Sequence, residues 1–295
     1  MPRGVPSAGF RKTKNFLASN KNSSNSSVGM AVVKTVTQET DEQIRAKLTE
    51  RFNALEHMGE ATIAGKNRAM IVSGPAGIGK SFKLMQLAEK YEKQGRKISY
   101  VRGFVRPTGL YKTFYEARAK NSVVIFDDTD CVFTDEQCLG FLKVACDMTR
   151  VRTLSWLAET NMEDSSGEPL PTQFDFEGSV IFITNYDFDW LINKGNKLAP
   201  HLQALISRSL YLDLAMKTRR DYLVRIQQVV EMGMLKESGL SQQQMNYIVK
   251  FIEKHADSLR ELSLRMVVKL AQLYNIAPSQ FESNARMTCF MSSHK

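Results

Sequence analysis

Apolar residues in this chain alternate between short continuous runs and segments with helical spacing. Five short runs, rich in β-branched and aromatic residues, predict buried strands. They are residues 69–72, 97–102, 122–128, 178–185 and 209–214. Segments long enough to hold a helix separate consecutive runs, as in parallel strands joined by crossover helices. The pattern therefore predicts an α/β fold with a doubly wound, five-stranded parallel sheet.

Helical periodicity is clearest on both sides of this region. From Thr40 to His57, Ile44, Leu48 and Phe52 recur on one face, and residues 59–66 are then expected to turn into the first strand. Further helices are predicted after the first strand, over residues 110–119 and over residues 134–148. After Met216 the pattern is helical throughout, with segments at residues 221–232, from the capping box of Ser241 and Gln244 onward, and at 258–274.

These patterns predict three regions. Residues 1–37 form a disordered basic tail, residues 38–215 an α/β domain, and residues 216–295 a small helical domain. Within the α/β domain, residues 151–157 and 173–176 predict an antiparallel β-hairpin insertion. The segment from Thr153 to Gly178 carries six acids and no Lys or Arg, so its tip would repel a phosphate backbone. Alternatively, the tip meets a basic protein surface or is simply solvated.

Composition narrows the class of protein. No apolar run approaches the ~20 residues that a membrane-spanning helix needs, so no membrane partner is expected. The four cysteines show no C-x-x-C spacing, which argues against a zinc site or a disulfide framework and suits a reducing compartment. Cys138 and Cys146 are expected to fill the core.

The positive charge is concentrated at the start of the chain. Six of the net nine positive charges lie in residues 1–36, which contain no acid. Such a tail binds nucleic acid or an acidic partner non-specifically. A solvated, disordered leader is at least as good an interpretation, given the Ser/Asn run at residues 19–27. An organelle transit peptide ranks lower, because the amphipathic pattern is poor.

The segment Gly74-Pro-Ala-Gly-Ile-Gly-Lys-Ser81 fits G-x-x-x-x-G-K-[ST], the phosphate-binding loop. A predicted strand precedes it and a predicted helix follows, as the motif requires. Its glycines let backbone N–H groups point at phosphate oxygens, and the helix N-terminus adds positive potential. Lys80 is expected to neutralise the β- and γ-phosphates, and Ser81 to ligate Mg²⁺.

Two later strand ends carry polar groups that suit the same chemistry. Asp127 and Asp128 end the third predicted strand, where Asp127 would hold Mg²⁺ through water and Asp128 would orient or deprotonate the attacking water. Asn185 ends the fourth predicted strand and would bond that water or the γ-phosphate. The sequence thus predicts a Mg²⁺-dependent nucleoside triphosphatase.

The order of these motifs resembles that of the AAA+ ATPase family over about Thr40 to Tyr274. Some sequence segments are also similar to those of phage-type AAA+ ATPases. Asn185 matches sensor 1, Ser207-Arg208 the arginine-finger motif, and Leu262-Ser-Leu-Arg265 sensor 2. The resemblance implies ATP and Mg²⁺ as cofactors, bound between the α/β domain and a helical lid. It also implies the cytoplasm of a bacterium or of a phage-infected host.

The resemblance assigns roles to single residues. Lys80, Asp128, Asn185 and Arg208 would be catalytic, and Ser81 and Asp127 would hold the metal. Arg265 would touch the γ-phosphate from the lid of the same subunit, whereas Arg208 would reach the neighbouring subunit's site. The expected nucleotide contacts are Gly74, Pro75, Ala76, Gly77, Ile78, Gly79, Lys80, Ser81, Phe82 and Arg265. The turn at residues 59–66 would border the base.

A shared site implies a ring or helical homo-oligomer, commonly a hexamer.

Most of the family ends the metal-binding strand with Asp-Glu, whereas this chain has Asp127-Asp128. Because aspartate is one methylene shorter, the water must be held closer or through a second contact. Hydrolysis slower than is usual for the family is therefore expected.

The substrate stays open between alternatives. Phe104, Val105 and Arg106 fall where AAA+ rings place a pore loop, which would grip a threaded polypeptide or track phosphates with Arg102 and Arg106; alternatively, Phe104 packs in the core. The leading hypothesis is remodelling of, or translocation along, a nucleic-acid complex in phage DNA replication or recombination. The alternatives are a protein-remodelling ATPase and an ATP-driven assembly switch.

Overall fold

The structure is a computed structural model that describes residues 39–158 and 161–292. Its seven strands are β1 (Ala69–Ser73), β2 (Lys97–Arg102), β3 (Ser122–Asp127), β4 (Thr153–Ser155), β5 (Gln173–Asp175), β6 (Ser179–Thr184) and β7 (Leu210–Asp213). Five of them form one sheet in the order β2-β3-β6-β1-β7, and every neighbouring pair is parallel. The predicted five-stranded parallel sheet is confirmed.

Burial explains why the central strands read as continuous apolar runs. Every residue of β1, β3 and β6 is buried, because helices cover both faces of the sheet. Along β3 the side chains alternate: Val124 and Phe126 pack in one hydrophobic cluster, and Val123 and Ile125 pack in the other. The edge strands β2 and β7 are only partly buried.

Helices fill the two faces. Those of the α/β region are α1 (Asp41–Ile63), α2 (Lys80–Glu92), α3 (Pro107–Glu116), α4 (Glu136–Ala145), α5 (Phe188–Asn193) and α6 (Ala199–Ile206). Helices α1 and α2 contribute to one cluster, and α3, α4 and α6 to the other. Cys138 and Cys146 are fully buried, as expected for core residues.

The C-terminal region contains α7 (Arg219–Glu231), α8 (Gln242–Lys254), α9 (Leu264–Ile276) and α10 (Phe281–Cys289). They enclose a third hydrophobic cluster, which makes this region a helical lid. Helix α7 connects the two parts, because Val224 packs in a cluster of the sheet while Ile226 and Val230 pack in the lid. The predicted capping box of Ser241 and Gln244 is present.

The predicted hairpin is also present, as the antiparallel pair of β4 and β5. Leu154 and Phe174 face each other across it, and both are buried in the cluster that contains α3 and α4. Trp156 stacks on Phe141 of α4, with ring centroids 5.6 Å apart. The base of the hairpin is therefore part of the core, whereas its acidic residues Glu163 and Glu168 are not buried.

Two of the helix boundaries predicted from the sequence depart furthest from the structure. Helix α1 does not end near His57 but continues to Ile63, because Gly59 packs against Leu84 inside a helix contact instead of starting a turn. The expected turn over residues 59–66, and its role beside the base, are therefore corrected. The last predicted lid helix begins at Leu264 instead of Ser258, with Ser263 as its N-cap.

The predicted disordered tail at residues 1–37 lies outside the described residues. The division of the rest of the chain at residues 215 and 216 stays a prediction, since α7 shares in both parts. In the described part of the chain, no helix combines the length and the apolarity of a membrane span.

Candidate nucleotide-binding site

The phosphate-binding loop connects the end of β1 to the start of α2, at the carboxyl edge of the sheet between β6 and β7. Gly77 has φ 73° and Gly79 has φ 100°, both in the left-handed region that favours glycine. A Cβ on Gly77 would also lie 2.8 Å from the Cβ of Ser263 in the lid. Gly79 caps α2 without a side chain, and the first turn of α2 has no acid, which leaves its N–H groups to an anion.

Lys80 lies against the inside of this loop and is only 5% exposed. Its Nζ donates to the carbonyl oxygens of Gly74 and Pro75, the latter at 2.9 Å, and to Asn185 Oδ1 at 3.1 Å. Burial lowers the pKa of Lys80 to about 8, although Asp128 and the other nearby carboxylates oppose the shift. Phosphate oxygens would give this desolvated ammonium the negative partner that backbone carbonyls supply only in part.

Ser81 and Asp127 meet where the loop passes the end of β3. Ser81 Oγ donates to Asp127 Oδ1 at 2.7 Å, and Asp127 is buried. The residues described contain no group of three His, Cys, Asp or Glu side chains able to hold a metal ion by themselves. One carboxylate and one hydroxyl nevertheless fit Mg²⁺, which keeps several waters and takes further oxygens from substrate phosphates.

Asp128 follows Asp127 with an unusual backbone. At φ 54°, it is the one residue other than glycine in the left-handed region within residues 39–158 and 161–292. Its side chain is exposed, and Asn185 Nδ2 donates to its Oδ1 at 3.3 Å. Since Asn185 also accepts from Lys80, three of the four predicted catalytic residues form one hydrogen-bonded chain at the ends of β1, β3 and β6. Strained residues of this kind cluster at functional sites.

The lid reaches the loop within the same chain. Leu264 N donates to the Gly77 carbonyl oxygen at 2.8 Å. The adjacent Arg265 is exposed, and its Cγ lies 3.7 Å from the position that a Cβ on Gly77 would occupy. The charge of Arg265 contributes to the lowered pKa of Lys80, whose main cause is burial. The structure therefore brings Arg265 to the phosphate loop of its own chain.

Arg208 is not brought to that loop. It lies just before β7, at the amino edge of the parallel sheet, whereas the loop lies at the carboxyl edge. Its Nε pairs with Asp147 Oδ2 at 3.1 Å, and its Nη1 donates to the Ala204 carbonyl oxygen at 2.8 Å. Arg208 can therefore act on a nucleotide only in a neighbouring subunit, and that role stays a prediction.

The structure adds two residues that sequence reasoning did not assign to the site. Arg102 ends β2 and is paired in register with Asp127, whose Oδ2 it contacts through Nη2 at 3.2 Å. Asp130 accepts from Thr184 Oγ1 at 2.6 Å, and burial raises its pKa. The position of Arg102 at a strand end was a usable signal, but only the order of the strands shows which carboxylate it meets.

Phe104 corrects one expectation. Its side chain is 77% exposed, so the alternative that it packs in the core is wrong. It lies in the segment of residues 103–106 between β2 and α3, directly after Arg102. An exposed aromatic side chain thus lies two residues after Arg102, which contacts the carboxylate of Asp127.

Comparison with known proteins decides the family. No protein-family model matches the chain. An uncharacterised 36.7 kDa protein from the nrdC–mobD intergenic region of Enterobacteria phage T4 is 35% identical over 237 residues, covering 79% of this chain and 72% of the T4 protein. This chain belongs to a family of phage-type AAA+ ATPases. The sequence resemblance stated above is thereby confirmed.

The AAA+ chain also shows distant likeness to solved structures. A point mutant of Thermotoga maritima RuvB gives a TM-score of 0.47 at 11% identity, over 84% of this chain and 72% of RuvB. The replication initiator DnaA bound to AMPPCP and single-stranded DNA gives a TM-score of 0.44 at 12% identity, over 80% of this chain and 63% of the DnaA chain. Brucella abortus NtrX in complex with ATP gives a TM-score of 0.46 at 13% identity, over 77% of this chain. This chain spans about half (51%) of the NtrX chain.

Proposed function

We propose that this AAA+ chain assembles into an oligomer, a ring or helix of about six subunits, and hydrolyses Mg-ATP to remodel or move along a nucleic-acid complex. The observation that carries the ATPase part is the hydrogen-bonded chain from Lys80 through Asn185 to Asp128, beside the pair of Ser81 and Asp127. All five side chains converge on one glycine-rich loop, as phosphoryl transfer requires.

Each group has a definite task in the proposed reaction. The loop N–H groups and Lys80 bind the phosphates, and Ser81 and Asp127 would hold Mg²⁺, which would supply positive charge to the phosphate oxygens. Asp128 orients and accepts the proton of the attacking water, while Asn185 fixes the carboxylate of Asp128. Arg265 closes the site from the lid, and Arg208 of a neighbouring subunit completes it.

Nucleic acid is the preferred substrate because aromatic and basic side chains lie together at one edge of the sheet. Phe104 is exposed, and Arg102 and Arg106 flank it. An aromatic platform with neighbouring cations is the arrangement that binds single strands, by stacking on bases and neutralising phosphates. The basic residues at the start of the chain would add affinity that does not depend on sequence. We place this activity in phage DNA replication or recombination, in the cytoplasm of the infected host.

The test is the ATPase rate of the purified chain with single-stranded DNA, with duplex DNA and with an unfolded protein. We expect stimulation by single-stranded DNA, and a Phe104→Ala variant that keeps the basal rate but loses most of the stimulation. Lys112→Ala, another nearby surface substitution, serves as the control and should keep both. Stimulation by unfolded protein alone would reject nucleic acid as the substrate.

Protein remodelling is the second candidate, and the exposure of Phe104 also favours it, since an exposed aromatic residue can grip a polypeptide. The acidic residues of the hairpin tip, such as Glu163 and Asp164, suit a basic protein surface better than a phosphate backbone. Loss of stimulation by unfolded protein in Phe104→Ala, with no response to either DNA, would establish this alternative.

A further inference from the structure

Arg225 is a buried cation at the contact between the lid and the phosphate-binding loop. It lies on α7 and is only 8% exposed. Its guanidinium carbon lies 3.3 Å from the ring centroid of Phe52 on α1, and its Nη1 donates to Gln228 Oε1 at 3.0 Å. Its Nε donates to the carbonyl oxygen of Ile78, inside the loop, at 3.4 Å. The side chain therefore connects three separate elements.

No carboxylate in the described part of the chain balances this charge. Among residues 39–158 and 161–292, none of the ion pairs includes Arg225. Burial lowers its pKa to about 10, and no acid among these residues opposes the shift. A buried charge without an opposite charge beside it is strongly unfavourable, so its presence at the loop calls for a physical reason.

Arg152 shows what a purely structural buried arginine looks like in this chain. It is similarly buried, and burial likewise lowers its pKa to about 10. Its guanidinium, however, donates to the carbonyl oxygens of Ala145 at 2.6 Å and Gly178 at 2.8 Å, which fixes the end of α4 and the start of β6. Arg225 makes only one weak bond of that kind within the described residues, and it makes that bond to the phosphate loop.

The remaining side of the Arg225 guanidinium faces the loop. Nη2 takes part in neither of the hydrogen bonds above and lies 3.7 Å from the position that a Cβ on Gly79 would occupy. Gly79 directly precedes Lys80 and caps the helix whose N–H groups are free to hold phosphate. The charge of Arg225 thus lies against the loop residues that directly precede Lys80.

We infer that Arg225 is a nucleotide-positioning residue, whose buried charge is balanced across the loop by the phosphates of a bound nucleoside di- or triphosphate. The inference rests on the proposed nucleotide binding and adds a residue to it. Because the lid carries Arg225, the same attraction draws α7 toward the loop when phosphates are present. Coulomb's law at an effective dielectric constant of about 20 makes one such charge beside the loop worth roughly tenfold in affinity.

The experiment measures the dissociation constants of the full chain for AMP, ADP and a non-hydrolysable ATP analogue in Mg²⁺ buffer, with thermal unfolding in the absence of nucleotide. For Arg225→Met we expect roughly tenfold weaker binding of the analogue, a smaller loss for ADP and little change for AMP. Without nucleotide, this variant should be at least as stable as the wild type, since an unbalanced buried charge is removed. Arg225→Lys should restore affinity to within about threefold.

Arg152→Met is the matched control, since it removes a similarly buried arginine away from the loop. It should unfold at a lower temperature and bind the analogue within about twofold of the wild type. The inference is overturned if Arg225→Met binds the analogue like the wild type, if it loses AMP and the analogue equally, or if Arg225→Lys is as weak as Arg225→Met. If Arg225→Met does not fold, Arg225→Gln replaces it with the same criteria. Failure of the wild type to bind any nucleotide would instead reject the proposed function.

Discussion

The backbone of Asp128 allows stability and catalysis to be separated at one residue. Its φ of 54° disfavours every side chain relative to glycine, and aspartate tolerates it better than alanine does. Asp128→Gly and Asp128→Ala both remove the carboxylate, but only glycine relieves the backbone strain. We therefore expect both variants to lose turnover by roughly 10²–10⁴-fold, and the alanine variant to be the less stable of the two.

The size of the difference follows from the conformation. Left-handed backbone is unfavourable for an L-residue by roughly 1–2 kcal/mol, so the glycine variant should exceed the alanine variant by that amount in unfolding free energy. For a chain of this size each kcal/mol shifts the unfolding midpoint by about 2–4 °C, which predicts a difference of about 2–8 °C. The loss of the hydrogen bond to Asn185 does not contribute to this difference in stability, because both variants lack that bond.

The assay is thermal unfolding of both variants without nucleotide, together with steady-state ATPase rates. A glycine variant no more stable than the alanine variant would show that Asp128 does not hold a strained backbone in solution. Retention of near-normal turnover by either variant would remove Asp128 from the proposed mechanism. Retained ATP binding by both, checked by titration, shows that the loss lies in the chemical step.

Three further predictions concern the other charged groups. Because burial places the pKa of Lys80 near 8, well below its value in an unfolded chain, the folded protein carries an unfavourable ammonium below that pH and gains stability as the pH rises from about 8 to 10.5. Lys80→Met has no ammonium and should lack this gain. In denaturant titrations it should be more stable than the wild type at about pH 7.5, and the difference should narrow at about pH 10. Mixing Arg208→Ala subunits with Lys80→Ala subunits, each inactive alone, should restore part of the ATPase rate; no recovery would exclude a shared site. Arg102→Ala frees one oxygen of Asp127 and should tighten apparent Mg²⁺ affinity a few-fold while reducing stimulation by substrate; an unchanged Mg²⁺ titration would contradict this.

Local signals in the sequence were sufficient for the elements that build the site. The apolar run before Gly74 and the one ending at Asp127 are both fully buried strands, because parallel strands covered on two faces carry no polar residues in their middles. The glycine pattern, Lys80 and Ser81 then follow from chemistry that needs those residues at fixed spacing. Residues that belong to such a local motif can be located from the sequence. The roles of these residues stay predictions.

Contacts between distant segments were not predictable in this way. Gly59 looks like a helix end, but it is tolerated inside α1 because Leu84 packs closely against it. Arg102 meets Asp127 only because β2 pairs with β3 in that register. Arg225 lies on a helix of the lid, and nothing in its local sequence distinguishes it from a surface arginine. These three positions depend on which elements are neighbours, which is a property of the assembled fold.

The substitution of aspartate for the usual glutamate at position 128 acquires a physical interpretation from the structure. A shorter acid must hold its water closer or with help, and two features of Asp128 address that need. The left-handed backbone turns its side chain away from the direction that a continuing strand would give it, and Asn185 fixes the carboxylate while also contacting Lys80. The carboxylate of Asp128 lies on a strained backbone and accepts a single 3.3 Å hydrogen bond, so it is easily displaced. Its orientation therefore depends on what Lys80 and Asn185 contact. Since a bound triphosphate would draw Lys80 away from Asn185, nucleotide binding itself would then adjust Asp128, the residue proposed to position the water.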